Sequence, residues 1–377
     1  MEQNKKTHIQ KIDLLRGIAI IAVFLYHTQL CIFPDYLVTD YRANNIINIK
    51  GIKSLFLNFS PIAFGWSGVE LFLIISGFLI HLGYLSNKDK FNTKTFYSKR
   101  FWRIYPPYLL ALLFFCLFAY GIQGILTAKG QTDFWLHIFF LHNLSSQTFF
   151  GAGNGSFWSL ALEMQLYFIY PLLLMLRNYI GIKRSFSVIL GLSVFLLFIG
   201  MLPPYHLNDI LPYNISVFKC WFVWCSGALL AENYFNNERT FPKWRLLLFL
   251  ISIAFILAAR TYLYLSFFTI YFITIAIAIF VEWFLTDNAI NMNSYWVKPL
   301  SLIGICSYSI YLIHQPFLGT MLGYLSRFQK KLYLLPIKIA IIFIFIFLVS
   351  YILYYFIELP SIKLGNRLRN LTKQKAL

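Results

Sequence analysis

Charge is scarce in this chain. Asp and Glu number 14 among 377 residues, and all charged residues together make 12%. Soluble globular proteins carry about 25%, and so few charges could not cover the 59% of the sequence that is hydrophobic. Disorder is excluded on the same ground, because disordered chains are rich in charge and poor in aromatics, whereas 20% of this one is Phe, Trp or Tyr. Cysteine is also rare. Cys31, Cys116, Cys220, Cys225 and Cys306 all lie inside apolar runs, with no Cys-x-x-Cys pair and no Cys/His grouping at zinc spacing. They read as small buried apolar residues, and no metal is expected. Internal repeats and low-complexity segments are absent.

Long apolar runs are abundant. Ten are near the length of about 20 residues that spans a bilayer: 13–33, 62–84, 104–126, 157–179, 185–203, 213–233, 244–261, 263–285, 301–323 and 336–357. The expected fold is all-α, a polytopic transmembrane bundle of about ten spans without a soluble domain. A single membrane domain fills residues 1–377, with a cytoplasmic N-terminal segment at 1–12 and a cytoplasmic basic tail at 359–377. A shorter run, Phe134 to Leu141, is too short to cross and reads as interfacial or re-entrant. The chain must turn near Tyr262 to separate two of the runs. The N-terminal run is long and lacks a small-residue cleavage site, so it reads as the first membrane helix, not a signal peptide.

The net charge of +18 comes from 32 Lys and Arg. Nucleic acid is not the expected partner, because cytoplasmic loops of membrane proteins collect these residues. With ten spans both termini share a side. Placing them inside puts 22 of the 32 basic residues on that side. The expected location is a cell (plasma or inner) membrane with both termini cytoplasmic.

An ionisable group at a helix centre costs about 2.5–3.5 kcal/mol to insert and is a functional candidate by default. The candidates are Arg16, His27, Glu70, His81, Glu163, Lys219, Glu282 and His314, with Asp13 and Glu358 near span ends. Arg16 and His27 are eleven residues apart, within about 20° on one helix face and roughly 16 Å along the axis. Asp13 is near the same face, so a polar stripe enters the bilayer. His27, Glu70, Glu163 and His314 fall at similar depth on the outward side, while Arg16, Lys99, Arg100 and Arg103 mark the inner side. A histidine beside a carboxylate suits proton transfer near neutrality. The same spacing suits a hydrogen-bonded core histidine or the proton relay of a transporter.

Six segments carry a resemblance. They are Asp13-Leu-Leu-Arg16-Gly17 followed by His27; Gly68-Val-Glu70-Leu-Phe72 running into Ser76-Gly77-Phe78; Arg100-Phe-Trp-Arg103-Ile-Tyr-Pro106; Trp158-Ser159-Leu-Ala-Leu-Glu163 with Tyr167 and Pro171; Ser307-Tyr308-Ser-Ile-Tyr311-Leu-Ile-His314-Gln-Pro316; and Ile357-Glu358-Leu-Pro360. In this order they resemble the integral-membrane acyltransferase family 3. Leu14 stands where the family usually has Gly, and Glu70 where it often has Asp. The resemblance implies transfer of an acyl group, most often acetyl from acetyl-CoA, to hydroxyls of glycans. It implies that His27 is the catalytic histidine, that Arg16 is essential with it, and that Arg100 and Arg103 serve the donor. Some relatives carry a fused extracytoplasmic esterase-like domain, which this chain is expected to lack.

The expected mechanism follows. Acyl-CoA, a donor substrate and not a bound cofactor, docks from the cytoplasm on Arg16, Lys99, Arg100 and Arg103, since Arg binds phosphate bidentately. His27 takes the acceptor's proton, directly or after becoming acylated itself. Glu163 orients His27 or binds the acceptor, and Glu70 is the second carboxylate for that role. Trp158, Ser159, Tyr167 and Tyr311 are candidate donors to the oxyanion, and His314 joins them in contacting substrate. Ser76-Gly77 reads as a close helix-packing site, not a nucleophile. Pro106, Pro107, Pro171 and Pro316 read as kinks or boundaries. The acceptor is left open among lipopolysaccharide O-antigen, capsule, exopolysaccharide, peptidoglycan, a lipid-linked sugar and a small metabolite. The rival classes are a proton-coupled transporter or flippase, and a non-catalytic assembly or sensor protein.

Overall fold

The computed structural model describes residues 2–33, 51–87, 90–201, 216–260, 263–286, 291–292, 294–328 and 332–374. Among them there are helices and no strands. The helices are α1 (Glu2–Ile32), α2 (Gly51–Phe59), α3 (Gly68–Ser86), α4 (Thr93–Ile125), α5 (Ala128–Ile138), α6 (Phe157–Ile180), α7 (Ile182–Met201) and α8 (Val217–Phe235). They continue as α9 (Arg245–Ala259), α10 (Leu263–Ser266), α11 (Thr269–Thr286), α12 (Val297–Ile305), α13 (Ser307–Phe328), α14 (Leu335–Leu353) and α15 (Leu359–Gln374). A 3₁₀ segment, Pro61–Ser67, leads into α3, and a π-helical turn, Tyr354–Glu358, joins α14 to α15.

Among the described residues each of the ten apolar runs is mainly helical. Seven helices are long and apolar enough to cross a membrane, and the pair α12–α13, broken at Cys306, makes an eighth. The chain is a multi-pass membrane protein. The other two runs are weaker for physical reasons. Lys219, Glu232 and Asn233 interrupt the apolar character of α8, and α9 has only 15 residues, about 22 Å against a core of about 30 Å. The turn expected at Tyr262 lies outside the described residues. The short run at Phe134 is carried by α5, which starts earlier, at Ala128, where the Thr127 hydroxyl accepts from the Gly130 amide at 3.1 Å and caps the helix. The four prolines sit inside α4, α6 and α13, not at helix boundaries. The non-helical residue within α4 is Gly121, at φ 61°.

Two compact units result. The first comprises residues 1–88 and 168–305, the second 89–167 and 306–377. Glycines bring the helices of the first unit into backbone contact. A Cβ on Gly77 would stand 2.0 Å from the Trp224 carbonyl oxygen, and one on Gly227 2.0 Å from that of Ile74, so α3 and α8 pack without side chains between them. Ser76-Gly77 is thus a packing site, reinforced by Trp224 Nε1 donating to Ser76 Oγ at 3.3 Å. Gly17 and Gly304 do the same for α1 and α12, with a Gly304 Cβ falling 1.8 Å from the Asp13 carbonyl oxygen. Gly65 and Gly68 approach the Ala22 and Ala19 carbonyls of α1 in turn. In the second unit α15 lies against α4, with Gly365 pressed on the Trp102 indole.

Candidate functional site

In the first unit α1 carries the polar stripe. Leu14, Leu15, Ala19 and Ile20 are fully buried, whereas Asp13, Arg16 and His27 are half-buried. Arg16 Nη1 stands 3.8 Å from Asp13 Oδ1. The Tyr26 ring packs edge-on against His27, with centroids 5.4 Å apart. Glu70 is buried on α3 and its Oε2 accepts no hydrogen bond among the described residues. It lies seven residues before Gly77, within about 20° of it around the helix, and therefore on the face that meets α8. The Cys220 thiol of α8 is within its electrostatic reach. Gly68, about 160° away on α3, is the residue that touches α1.

The same unit holds a network that the sequence reading left unassembled. His81 is fully buried, with Nδ1 3.2 Å from the Tyr170 hydroxyl and Nε2 2.7 Å from Glu232 Oε2. Arg177 Nη2 holds the other oxygen of Glu232 at 2.8 Å and lies over the Tyr84 ring. The histidine stood among the intramembrane candidates. Its partner Glu232 is 151 residues away, and nothing local announces the pair. Glu282, another candidate, accepts from the Thr240 amide and lies 3.5 Å from Arg245 Nη1, and Lys219 is buried in α8.

The second unit gathers four of the six motif segments through hydrogen bonds. The Tyr308 hydroxyl donates to the Ile104 carbonyl at 2.7 Å. Ser309 Oγ donates to Glu358 Oε2 at 2.7 Å, and Ser159 Oγ bonds the Tyr311 hydroxyl at 2.5 Å. Tyr167 donates its hydroxyl to Glu163 Oε1, and the Arg100 guanidinium lies over the Tyr167 ring, 5.5 Å from its centroid. Arg103 and Glu163 are both within electrostatic reach of the Tyr308 hydroxyl. The expected donor-side arginines and the expected carboxylate thus belong to one neighbourhood at the N-terminal half of α4, where Lys99 is exposed. His314 donates from Nδ1 to the Tyr311 carbonyl at 2.8 Å, a bond that fixes its tautomer. Trp158 stacks on Phe149 at 5.6 Å and makes no hydrogen bond among the described residues. Of the four expected oxyanion donors, the hydroxyls of Ser159, Tyr167 and Tyr311 are engaged within the unit, whereas the indole N–H is not.

At the other end of α4 lies a second buried cluster with no counterpart in the sequence reading. Asp133 Oδ2 accepts from the Tyr120 hydroxyl and from the Ala152 amide, both at 2.7 Å. His137 Nδ1 is 3.2 Å from the other carboxylate oxygen and donates to the Asp133 carbonyl at 2.8 Å. The His137 ring stacks face to face on His142, with centroids 3.7 Å apart and 6° between planes. Burial would raise the Asp133 carboxyl, but His137, Tyr120 and the Ala152 amide outweigh it and hold the group below the ordinary carboxylate range. Burial, reinforced by the His137 charge, pushes His142 down to about 3, so it stays neutral. The signal for the first pair was local, since Asp133 and His137 are one helical turn apart. Among the described residues no group of three or more His, Cys, Asp or Glu is arranged to hold a metal ion.

Comparison with known proteins adds an independent line. A family model described as an acyltransferase domain matches residues 9–355. The peptidoglycan O-acetyltransferase OatA of Listeria monocytogenes is 24% identical over 96% of this chain and 57% of its own length. The O-acetyltransferase OatA of Staphylococcus aureus is 25% identical over 95% of this chain and 58% of its own. A putative acetyltransferase, ORF330, of Acidianus two-tailed virus is 27% identical over 82% of this chain and 83% of its own. The chain thus spans a little under three-fifths of the length of the two OatA relatives. No solved structure matches it. A family match over nearly the whole chain, covering five of the six motif segments, means that this protein belongs to the integral-membrane acyltransferase family 3.

Proposed function

We propose that the protein is a membrane O-acetyltransferase that moves acetyl from acetyl-CoA to a hydroxyl of a cell-surface glycan, with both termini in the cytoplasm. The observation that carries this reading is the stripe on α1. Asp13, Arg16 and His27 are half-buried on a helix whose other face is tightly packed and apolar, and a purely structural span gains nothing from them. A glycan acceptor is supported by the relatives, one of which is named a peptidoglycan O-acetyltransferase.

In this reading the acceptor oxygen attacks the thioester carbonyl and the new C–O bond forms as the C–S bond breaks. His27 receives the hydroxyl proton and returns it to the CoA thiolate. Arg100, Arg103 and Lys99 meet the phosphates of the donor, and Arg16 is essential with His27. Tyr167 occupies one oxygen of Glu163 and supports Arg100, which leaves the second oxygen of Glu163 for acceptor hydroxyls. The test compares ester-linked acetyl on surface glycans in a deletion strain carrying wild type, His27→Ala or empty vector, at matched membrane abundance. Wild type restores base-labile acetyl and His27→Ala does not. Full restoration by His27→Ala would remove His27 from the chemistry, and no difference between wild type and empty vector would remove the glycan.

A further inference from the structure

The turn Phe149–Ser156 is built more rigidly than a connecting loop requires. Ala152 and Gly153 adopt φ of 54° and 68°, a region that Ala occupies only under constraint. The constraint is visible. The Ala152 amide is fixed on Asp133, and Asn154 Nδ2 donates to the Leu312 carbonyl of α13 at 2.7 Å. Ser156 Oγ donates to Gln315 Oε1, also at 2.7 Å. A Cβ on Gly155 would stand 3.1 Å from Gln315 Oε1, 3.2 Å from its Nε2 and 3.4 Å from the Phe150 ring. The turn therefore lays its backbone between an amide and an aromatic ring.

What this arrangement presents is specific. The Phe150 ring is 59% exposed although it sits on a pinned turn. The half-buried Gln315 has its oxygen taken by Ser156, so the orientation of its NH₂ is set, and those two N–H groups have no partner among the described residues. Three residues on, Trp158 offers an indole N–H that is likewise unengaged, with its ring held against Phe149. Asp133 at the base is consumed by the turn itself, so the surface offers neutral donors and aromatic faces. That is the chemistry of sugar recognition, in which apolar ring faces stack on aromatics while hydroxyls take fixed hydrogen bonds. Phosphate recognition would require clustered cations; Lys129 stands alone and exposed on α5, whereas Lys99, Arg100 and Arg103 cluster at the opposite end of α4.

We propose that Phe150, Gln315 and Trp158 form a subsite for a neutral pyranose ring of the acceptor glycan, with the Asp133-anchored turn holding them in place. This deepens the O-acetyltransferase reading and rests on it. The pre-set amide and ring lower the ordering cost of binding a flexible glycan.

The experiment uses membranes with the full chain, acetyl-CoA as donor, and as acceptor probe the surface glycan of a deletion strain stripped of esters by mild base. Phe150→Ala and Gln315→Ala are compared with wild type. Each is expected to raise the half-saturating glycan concentration about tenfold, the worth of one lost stacking contact or hydrogen bond in a desolvated site, while KM for acetyl-CoA stays within twofold. Phe150→Tyr, which keeps the ring, restores glycan saturation. If both alanine variants saturate with glycan as wild type does, the subsite is refuted while the enzyme reading stands. If the two KM values rise together, the loss is structural and the subsite is refuted. If wild type transfers no acetyl to glycan yet is abundant and folded, the glycan reading fails and the subsite with it.

Discussion

Replacing Asp133 by alanine should release the turn at Ala152 while the membrane helices stay formed. The Ala152 amide is fully buried, and the carboxylate is its acceptor at 2.7 Å. A hydrogen bond to a charged group contributes about 1.5–3 kcal/mol. The Tyr120 hydroxyl donates to the carboxylate at 2.7 Å and accepts from the same amide at 3.1 Å; it is partly exposed and stays as a weaker, neutral acceptor, so its own lost bond adds less. Together the cost is about 2–4 kcal/mol, a factor of roughly thirty to a thousand in the closed population of the turn at 1.4 kcal/mol per decade. That far exceeds the few tenths expected of a surface change. Asp133→Asn keeps the shape and one acceptor oxygen, loses the charge, and should fall between the two. Hydrogen exchange read by mass spectrometry on peptides covering 145–156 measures the opening directly, and peptides from α14 serve as the internal reference. The expected result is faster exchange at Ala152 and its neighbours in the order alanine, asparagine, wild type. If Asp133→Ala leaves exchange in 145–156 unchanged, the carboxylate does not hold the turn, and the rigidity argued for the sugar subsite loses its cause.

Other outcomes follow from the same structure. His142 is neutral in the folded protein down to about pH 3, whereas an unfolded histidine takes a proton near 6.5. Its contribution is therefore complete above 6.5 and is lost as pH falls towards 3, because the unfolded state binds the extra proton. The Asp133 contribution is lost only below the ordinary carboxylate value of 3.8, so His142→Phe should flatten part of the melting curve of purified protein between pH 6.5 and 4. Gly304→Val and Gly77→Val place side-chain atoms about 2 Å from a carbonyl oxygen and should abolish accumulation of folded protein in membranes. Gly83→Ala, on the same helix as Gly77 but with open space around it, should accumulate like wild type and shift stability by about 1 kcal/mol or less.

The helices were legible because a span must be continuous and apolar, a property of neighbouring residues alone. The motifs were legible for a related reason, since each is a short segment on one helix. What escaped were pairings whose members lie far apart in the chain. Glu232 meets His81 because Gly77 and Gly227 draw α3 and α8 together, and no periodicity in either helix records the other's position. Glu70 shows how depth alone misleads. Its expected depth on the outward side of the midplane suggested company with His27, but helical phase turns it to the Gly77 face and α8, and only a known contact at Gly77 reveals that phase. The Asp133–His137 pair is one helical turn apart and readable, yet it lies in a run too short to span, where a charge carries no insertion cost to mark it. Charges placed within the bilayer are expensive and so attract notice. At the end of a span a carboxylate costs less and can serve as an anchor. Here it carries a strained turn beside α13, on which Tyr311 and His314 already belonged to the motif set. A helical bundle has rigid positions only along its helices, so recognition of an acceptor beyond the helix ends needs backbone that is fixed by some other means. The buried carboxylate, the stacked histidines and the side chains that tie this turn to α13 together supply that fixation.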